Sequence, residues 1–348
     1  MLVSDTMDRL LGMHPNSRMI HYTFAAATLI LATAIVTDRN DDSPYGGHLT
    51  KEVCDLFTPM EYRFTGGRYV DKIFRYRLFE PEYDRRKSKY PLIVWLHGYG
   101  DLEINGPTNL GQLKWMDDIF TTAKRKDYPF FFLAMQCPKD MPRWYDYHGL
   151  TKEDGDSPMS VLWEIIQKTI HDYPVDEDRV CLTGISGGGS GAWEMAMRYP
   201  NFFAAIAPIA SGGGDVSRAG KLRNTPVWAF HSKGDGPEGD RRMVTAVNRL
   251  GGKALLTEVN GASHFCWGPA FEFYHLLPWL LAQNRSENSV RPGVLPWKFR
   301  VRESIRDGQW WKYVAVLLAG PLIVAAWFSE RRRRRALMAE PQPAAKEE

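Results

Sequence analysis

Five short apolar runs constrain what this chain can fold into more than any other feature. They are LIVWL at 92–96, FFFLAM at 130–135, RVCLT at 179–183, AAIA at 204–207 and VWAF at 227–230. Each is nearly continuous rather than alternating, which is the pattern of strands buried on both faces. Helical stretches lie between them, clearest at 160–170 and 192–198, so the chain reads as an open, mostly parallel α/β sheet with helices on both faces. Upstream, 60–80 alternates apolar and polar residues around Gly66 and Gly67, the signature of two half-buried antiparallel strands. No internal repeat or low-complexity segment interrupts this order.

Directly after the third run the chain reads CLTGISGGGSG at 181–191. A phosphate-cradling loop would need a Gly-Lys-Ser/Thr ending, and no lysine follows these glycines. A dinucleotide loop would want an acidic residue about 20 positions on, closing a second strand; 201–209 offers none. A flexible linker would be flanked by polar sequence, whereas here a strand enters and a helix leaves. What remains is Gly184-Ile185-Ser186-Gly187-Gly188, a G-x-S-x-G turn that presents one serine hydroxyl. Glycine two before and two after the serine avoids collision with the neighbouring strand and helix. By itself the pentapeptide should arise by chance in about one chain in ten of this length, so its surroundings carry the argument.

A mostly parallel sheet offers its functional loops at the carboxyl ends of its strands. His97-Gly98-Tyr99-Gly100 follows the first run, Ser186 the third, and Asp235 the fifth, while His264 follows a further strand at 255–259. A serine hydroxyl needs a base to become a nucleophile, and that base needs a carboxylate to hold its tautomer. Ser186, Asp235 and His264 supply the three types in the order Ser, Asp, His. Asp215 and Asp240 compete with Asp235 for the acid. His275 falls in a helical run at 271–281 and reads as packing or surface.

These motifs, together with Gln136-Cys137-Pro138, Trp144, and GASHFCW at 261–267, resemble the capless carboxylesterases related to polyhydroxybutyrate depolymerases, feruloyl esterases and dienelactone-hydrolase-like proteins. The likeness covers roughly 60–283. It implies an α/β-hydrolase fold without a large cap domain, and a serine carboxylesterase that forms an acyl-enzyme on Ser186 with His264 as base and Asp235 as orienting acid. The backbone N–H groups of Tyr99 and Gly187 would form the oxyanion hole. Trp144 and Trp267 would offer an aromatic wall to an aryl or sugar-bearing ester, whereas Trp193 belongs to the core. No cofactor or metal is implied. The family usually has His-Gly between strand and acid and Val-Pro after it; here His231-Ser232 and Gly236-Pro237 stand instead. A serine peptidase of the same fold, or a catalytically silent binding domain, are the alternatives.

The formal net charge of +3 indicates no nucleic-acid partner, but its distribution is informative. Residues 313–328 carry no charge, Trp310, Trp311, Trp327 and Phe328 bracket them, and five arginines follow at 331–335. That is the pattern of a membrane-spanning helix with a basic cytoplasmic flank. An apolar run at 19–36 reads as a signal peptide or signal anchor. The expected organisation is therefore a leader at 1–39, a catalytic domain at 40–284 outside the cytoplasm, a linker at 285–309, a transmembrane helix at 310–329 and a basic tail at 330–348. The four cysteines show no metal-binding spacing.

Overall fold

The computed structural model describes residues 51–67, 69–82, 88–99, 113, 116–120, 129–138, 144, 158–261, 263–287 and 291–293. The expected leader, membrane helix and tail lie outside these residues, as do most of the loops at 101–128 and 138–158. No helix among the described residues is long and apolar enough to cross a membrane.

Eight strands form one sheet: β1 (Phe57–Gly66), β2 (Tyr69–Phe79), β3 (Tyr90–Leu96), β4 (Phe131–Met135), β5 (Val175–Ile185), β6 (Ala205–Ile209), β7 (Val227–Ser232) and β8 (Ala254–Val259). Their order across the sheet is β1-β2-β4-β3-β5-β6-β7-β8. β1 and β2 are antiparallel, as their alternation at 60–80 predicts, and β2 joins β4 antiparallel. Every pairing from β4 to β8 is parallel.

The continuous apolar runs divide between the two faces with a period of 2. Leu92, Val94, Leu96, Leu182, Ile206 and Val227 enter one core, against helices α1 (Pro158–Asp172), α2 (Gly187–Arg198) and α3 (Glu238–Arg249). Ile93, Trp95, Cys181, Ala207, Ile209 and Phe230 enter the other, beneath α4 (Trp267–Glu272) and α5 (Leu276–Leu281). A strand with apolar residues at both parities can be stable only when both faces are covered, and here both are.

The helical run expected at 271–281 is broken. His275 sits in the left-handed region at φ 53°, ψ 46°, and separates α4 from α5. A continuous helix would place Pro278 in its interior, where the ring lacks an N–H and meets the carbonyl four residues back. Restarting after His275 puts Pro278 in the first turn, where no donor is missed.

Candidate active site

Ser186 stands between β5 and α2 at φ 53°, ψ −118°, a backbone conformation that non-glycine residues rarely adopt. Its N–H donates to the Ile209 carbonyl at 2.8 Å, which pins the turn to the end of β6, and the Ser190 N–H donates to its carbonyl at 3.1 Å. The flanking glycines make this sharpness feasible. A methyl on Gly184 would lie 2.6 Å from the Gly188 carbonyl oxygen and 2.7 Å from that of Leu96, and one on Gly188 would overlap the Leu96 carbonyl outright. The Ser186 hydroxyl makes no hydrogen bond to a described side chain, His264 included.

The loops after β7 and β8 are tied to each other. Lys233 N–H donates to Val259 O at 3.0 Å, Gly234 N–H to Gly261 O at 3.0 Å, and Lys233 Nζ to Asn260 Oδ1 at 2.7 Å. This lacing brings Asp235 against His264, with Oδ2 2.6 Å from Nδ1. Nδ1 therefore carries the proton, and Nε2 is left as the basic nitrogen. The His264 side chain is 41% exposed, so the ring is accessible.

The competing carboxylates are engaged elsewhere. Asp215 caps the 3-10 helix Val216–Leu222, accepting from Ser217 N–H at 2.9 Å and Ser217 Oγ at 2.7 Å. Asp240 is wholly buried and accepts from His231 Nδ1 at 2.8 Å, Trp193 Nε1 at 2.8 Å and the Ser211 hydroxyl. Neither is hydrogen-bonded to His264. The Trp193 side chain belongs to the core, as expected.

Tyr99 and Gly187 meet: a methyl on Gly187 would lie 2.8 Å from the Tyr99 ring. Gly187 opens α2, so its N–H belongs to the first turn, where donors lack intrahelical acceptors. The turn carrying Tyr99 is held from behind by His97, which is fully buried. Its Nδ1 donates to Gly98 O at 2.7 Å and its Nε2 accepts from the Cys137 N–H at 3.0 Å. Burial pushes the His97 pKa down to about 4, against an opposing contribution from the Gly98 hydrogen bond.

The two tryptophans differ from expectation. Trp144 is 0% exposed and Trp267 3%, so neither presents an indole face to solvent. Trp144 donates from Nε1 to the His97 carbonyl at 2.9 Å and packs edge-on to the His97 ring. Its place is a brace behind the His97 turn, and this corrects its assignment to an open aromatic wall. Trp267 packs against His264, ring centroids 5.9 Å apart, and against Phe265 at 4.8 Å. The exposed aromatic beside His264 is Phe265, which sequence reasoning missed. Its adjacency to the histidine was the one available signal.

The eight-stranded, mostly parallel sheet with helices on both faces and its serine turn after β5 settle the architecture. The chain has the α/β-hydrolase fold. The esterase PHB depolymerase family matches residues 77–217. A thermostable esterase is similar at 29% identity and a TM-score of 0.59, over 67% of this chain and 64% of that one. A ferulic acid esterase is similar in structure at 16% identity and a TM-score of 0.48, over 65% of this chain and 98% of its own. An acylaminoacyl peptidase from Pyrococcus horikoshii reaches 13% identity and 0.48, over 68% and 44%. The chain thus spans less than two thirds of the length of the first and third of these relatives. No curated protein matches it. The family match and the thermostable esterase bear out the resemblance to the polyhydroxybutyrate depolymerase group of esterases.

Proposed function

We propose that the chain is a serine carboxylesterase with Ser186 as nucleophile, His264 as base and Asp235 as the orienting acid. The observation that carries this is the 2.6 Å contact of Asp235 Oδ2 with His264 Nδ1, on loops laced together at the same carboxyl edge of the parallel strands as the strained serine turn. In this reading the Ser186 hydroxyl attacks the ester carbonyl and His264 Nε2 takes its proton. The carbonyl oxygen becomes an anion that accepts from the Gly187 and Tyr99 N–H groups, each typically worth about 3 to 4 kcal/mol to the transition state. His264 returns the proton to the departing alcohol. Water, deprotonated by the same ring, then cleaves the acyl-enzyme and releases the acid.

Phe265 supports an apolar or aryl group on the ester, since it is exposed directly beside His264. The charge-free run and arginine cluster at 310–335 support display of the domain from a membrane; protease protection in intact cells tests the sidedness. For the activity, the test is hydrolysis of short-chain p-nitrophenyl esters and methyl ferulate by the full chain beside Ser186→Ala. Turnover lost in the variant supports the reading; equal rates in both refute it.

A further inference from the structure

The Asp235 carboxylate has a second imidazole on it. His231, near the end of β7, lies with Nε2 3.2 Å from Asp235 Oδ2 and 3.2 Å from the Asp235 backbone carbonyl, which takes its hydrogen bond, while its Nδ1 is 2.8 Å from Asp240 Oδ2. Asp240 is anchored in turn by Trp193 Nε1 at 2.8 Å, by the Ser211 N–H at 3.3 Å and by the Ser211 hydroxyl. The order is therefore Asp240, His231, Asp235, His264: two carboxylates alternating with two imidazoles, running from the buried start of α3 to the accessible ring. The His231 ring cannot donate from both nitrogens unless it is an imidazolium, and acceptors face both.

We propose that His231 and Asp240 are positioning residues for the candidate triad, a buried cation–anion pair that fixes the Asp235 carboxylate toward His264 and offsets part of its charge. This rests on the esterase reading above. A lone Asp235 carboxylate would favour the imidazolium of His264 strongly. With a cation on its other side, the same carboxylate orients the ring with less electrostatic hold on the proton that the ring must return to the leaving alcohol.

The surroundings are consistent with a charged His231. Burial pulls its pKa down, but the Asp240 hydrogen bond and charge, with the Asp235 carbonyl and charge, outweigh this and the net direction is up. Facing it from β8 is Glu258, its register partner, which is already paired with Arg241 at 2.6 Å. Before α4, burial pushes the Cys266 thiol up to about 12, so that group is neutral. His264 itself lies beyond Asp235.

The test uses the full chain and the rate at which a fluorophosphonate labels Ser186 between pH 5 and 9, in the wild type, His231→Gln and Asp240→Asn. Losing the nearer positive charge stabilises a proton on His264, so the base form appears only at higher pH. His231→Gln is expected to label about tenfold more slowly at pH 6 and within about twofold of wild type at pH 9, a shift of about one pH unit in the acid limb. Asp240→Asn, which keeps the shape but releases the His231 charge, is expected to shift the same way by less. A uniform loss at every pH, or no change, overturns the proposal. Nitrogen-15 spectra of the wild-type histidine rings read the pair without any variant. His231 doubly protonated at pH 7 supports it, and a neutral His231 overturns it. Absence of labelling in the wild type sinks the esterase reading and this device with it, whereas normal labelling with unshifted variants sinks the device alone.

Discussion

His97 donates from Nδ1 to the Gly98 carbonyl and accepts at Nε2 from the Cys137 N–H, so both ring nitrogens are committed with the imidazole neutral. Protonating Nε2 would destroy the second bond and leave a charge in the core. Its pKa of about 4 in the fold lies below the unfolded value of about 6.5. The stability it contributes is thus complete above pH 6.5 and lost as pH falls toward 4, a difference of about 3 kcal/mol. Thermal unfolding of the wild type between pH 7 and 4 should be correspondingly steeper than that of His97→Gln; parallel curves would exclude the assignment. The carboxylates separate in the same way. Asp235→Asn should lower turnover by about 10⁴-fold by releasing the His264 tautomer. Asp215→Ala should leave turnover unchanged and cost about 1 kcal/mol for its lost cap, measurable by urea unfolding. Order along the chain singled out Ser186 and His264 but left Asp215 and Asp240 beside Asp235 as candidate acids; the 2.6 Å contact of Asp235 with His264 is what separates them. The His231 and Asp240 pairing was not legible, because it exists only once β7 and α3 fold onto one another.

Elements were legible where burial set the pattern and obscure where close packing overrode propensity. The apolar runs mark β3 to β7, yet β5 extends back through Asp176-Glu177-Asp178, polar residues that a buried-strand pattern cannot include. Propensity places the start of α2 near Ala192, because four glycines and Ser190 at 187–191 are poor helix formers, yet the helix begins at Gly187. Gly187, Gly188, Gly189 and Gly191 lie against Tyr99, Leu96, Ile209 and Trp144, where a Cβ would collide. The break between α4 and α5 was hidden for a related reason: the apolar spacing continues through it, and only Pro278 dictates the restart. The left-handed His275 there carries a steric cost that glycine would not. His275→Gly should therefore stabilise the protein by roughly 0.5 to 1 kcal/mol, read as a higher urea midpoint with unchanged slope. A lower midpoint would mean that the imidazole makes a contact worth more than the strain.

At the scale of the whole molecule, the sheet keeps hold of the chain beyond the point where its composition turns polar. The chain turns polar at Arg285, the expected start of a linker, but Arg285 remains bound to the sheet. Its N–H donates to Asp178 O at 2.7 Å, its Nη2 reaches Asp178 Oδ1 at 2.8 Å, and Nη1 donates to the Phe202 carbonyl at 3.0 Å. Farther on, the Arg291 carbonyl accepts from Trp279 Nε1 at 3.2 Å. One arginine thus clamps this end of the chain to β5, the strand that leads into Ser186, and to the turn after α2. The guanidinium holds the Asp178 carboxyl below its usual range. A depressed carboxylate contributes stability above its unfolded pKa and loses it as pH falls through the folded one. Arg285→Ala should accordingly lower Tm at pH 7, by a margin that shrinks as acid is added and Asp178 takes up its proton. A Tm difference that stays constant with pH would assign the clamp to the carbonyl contacts alone, and an unchanged Tm would return Arg285 to the linker.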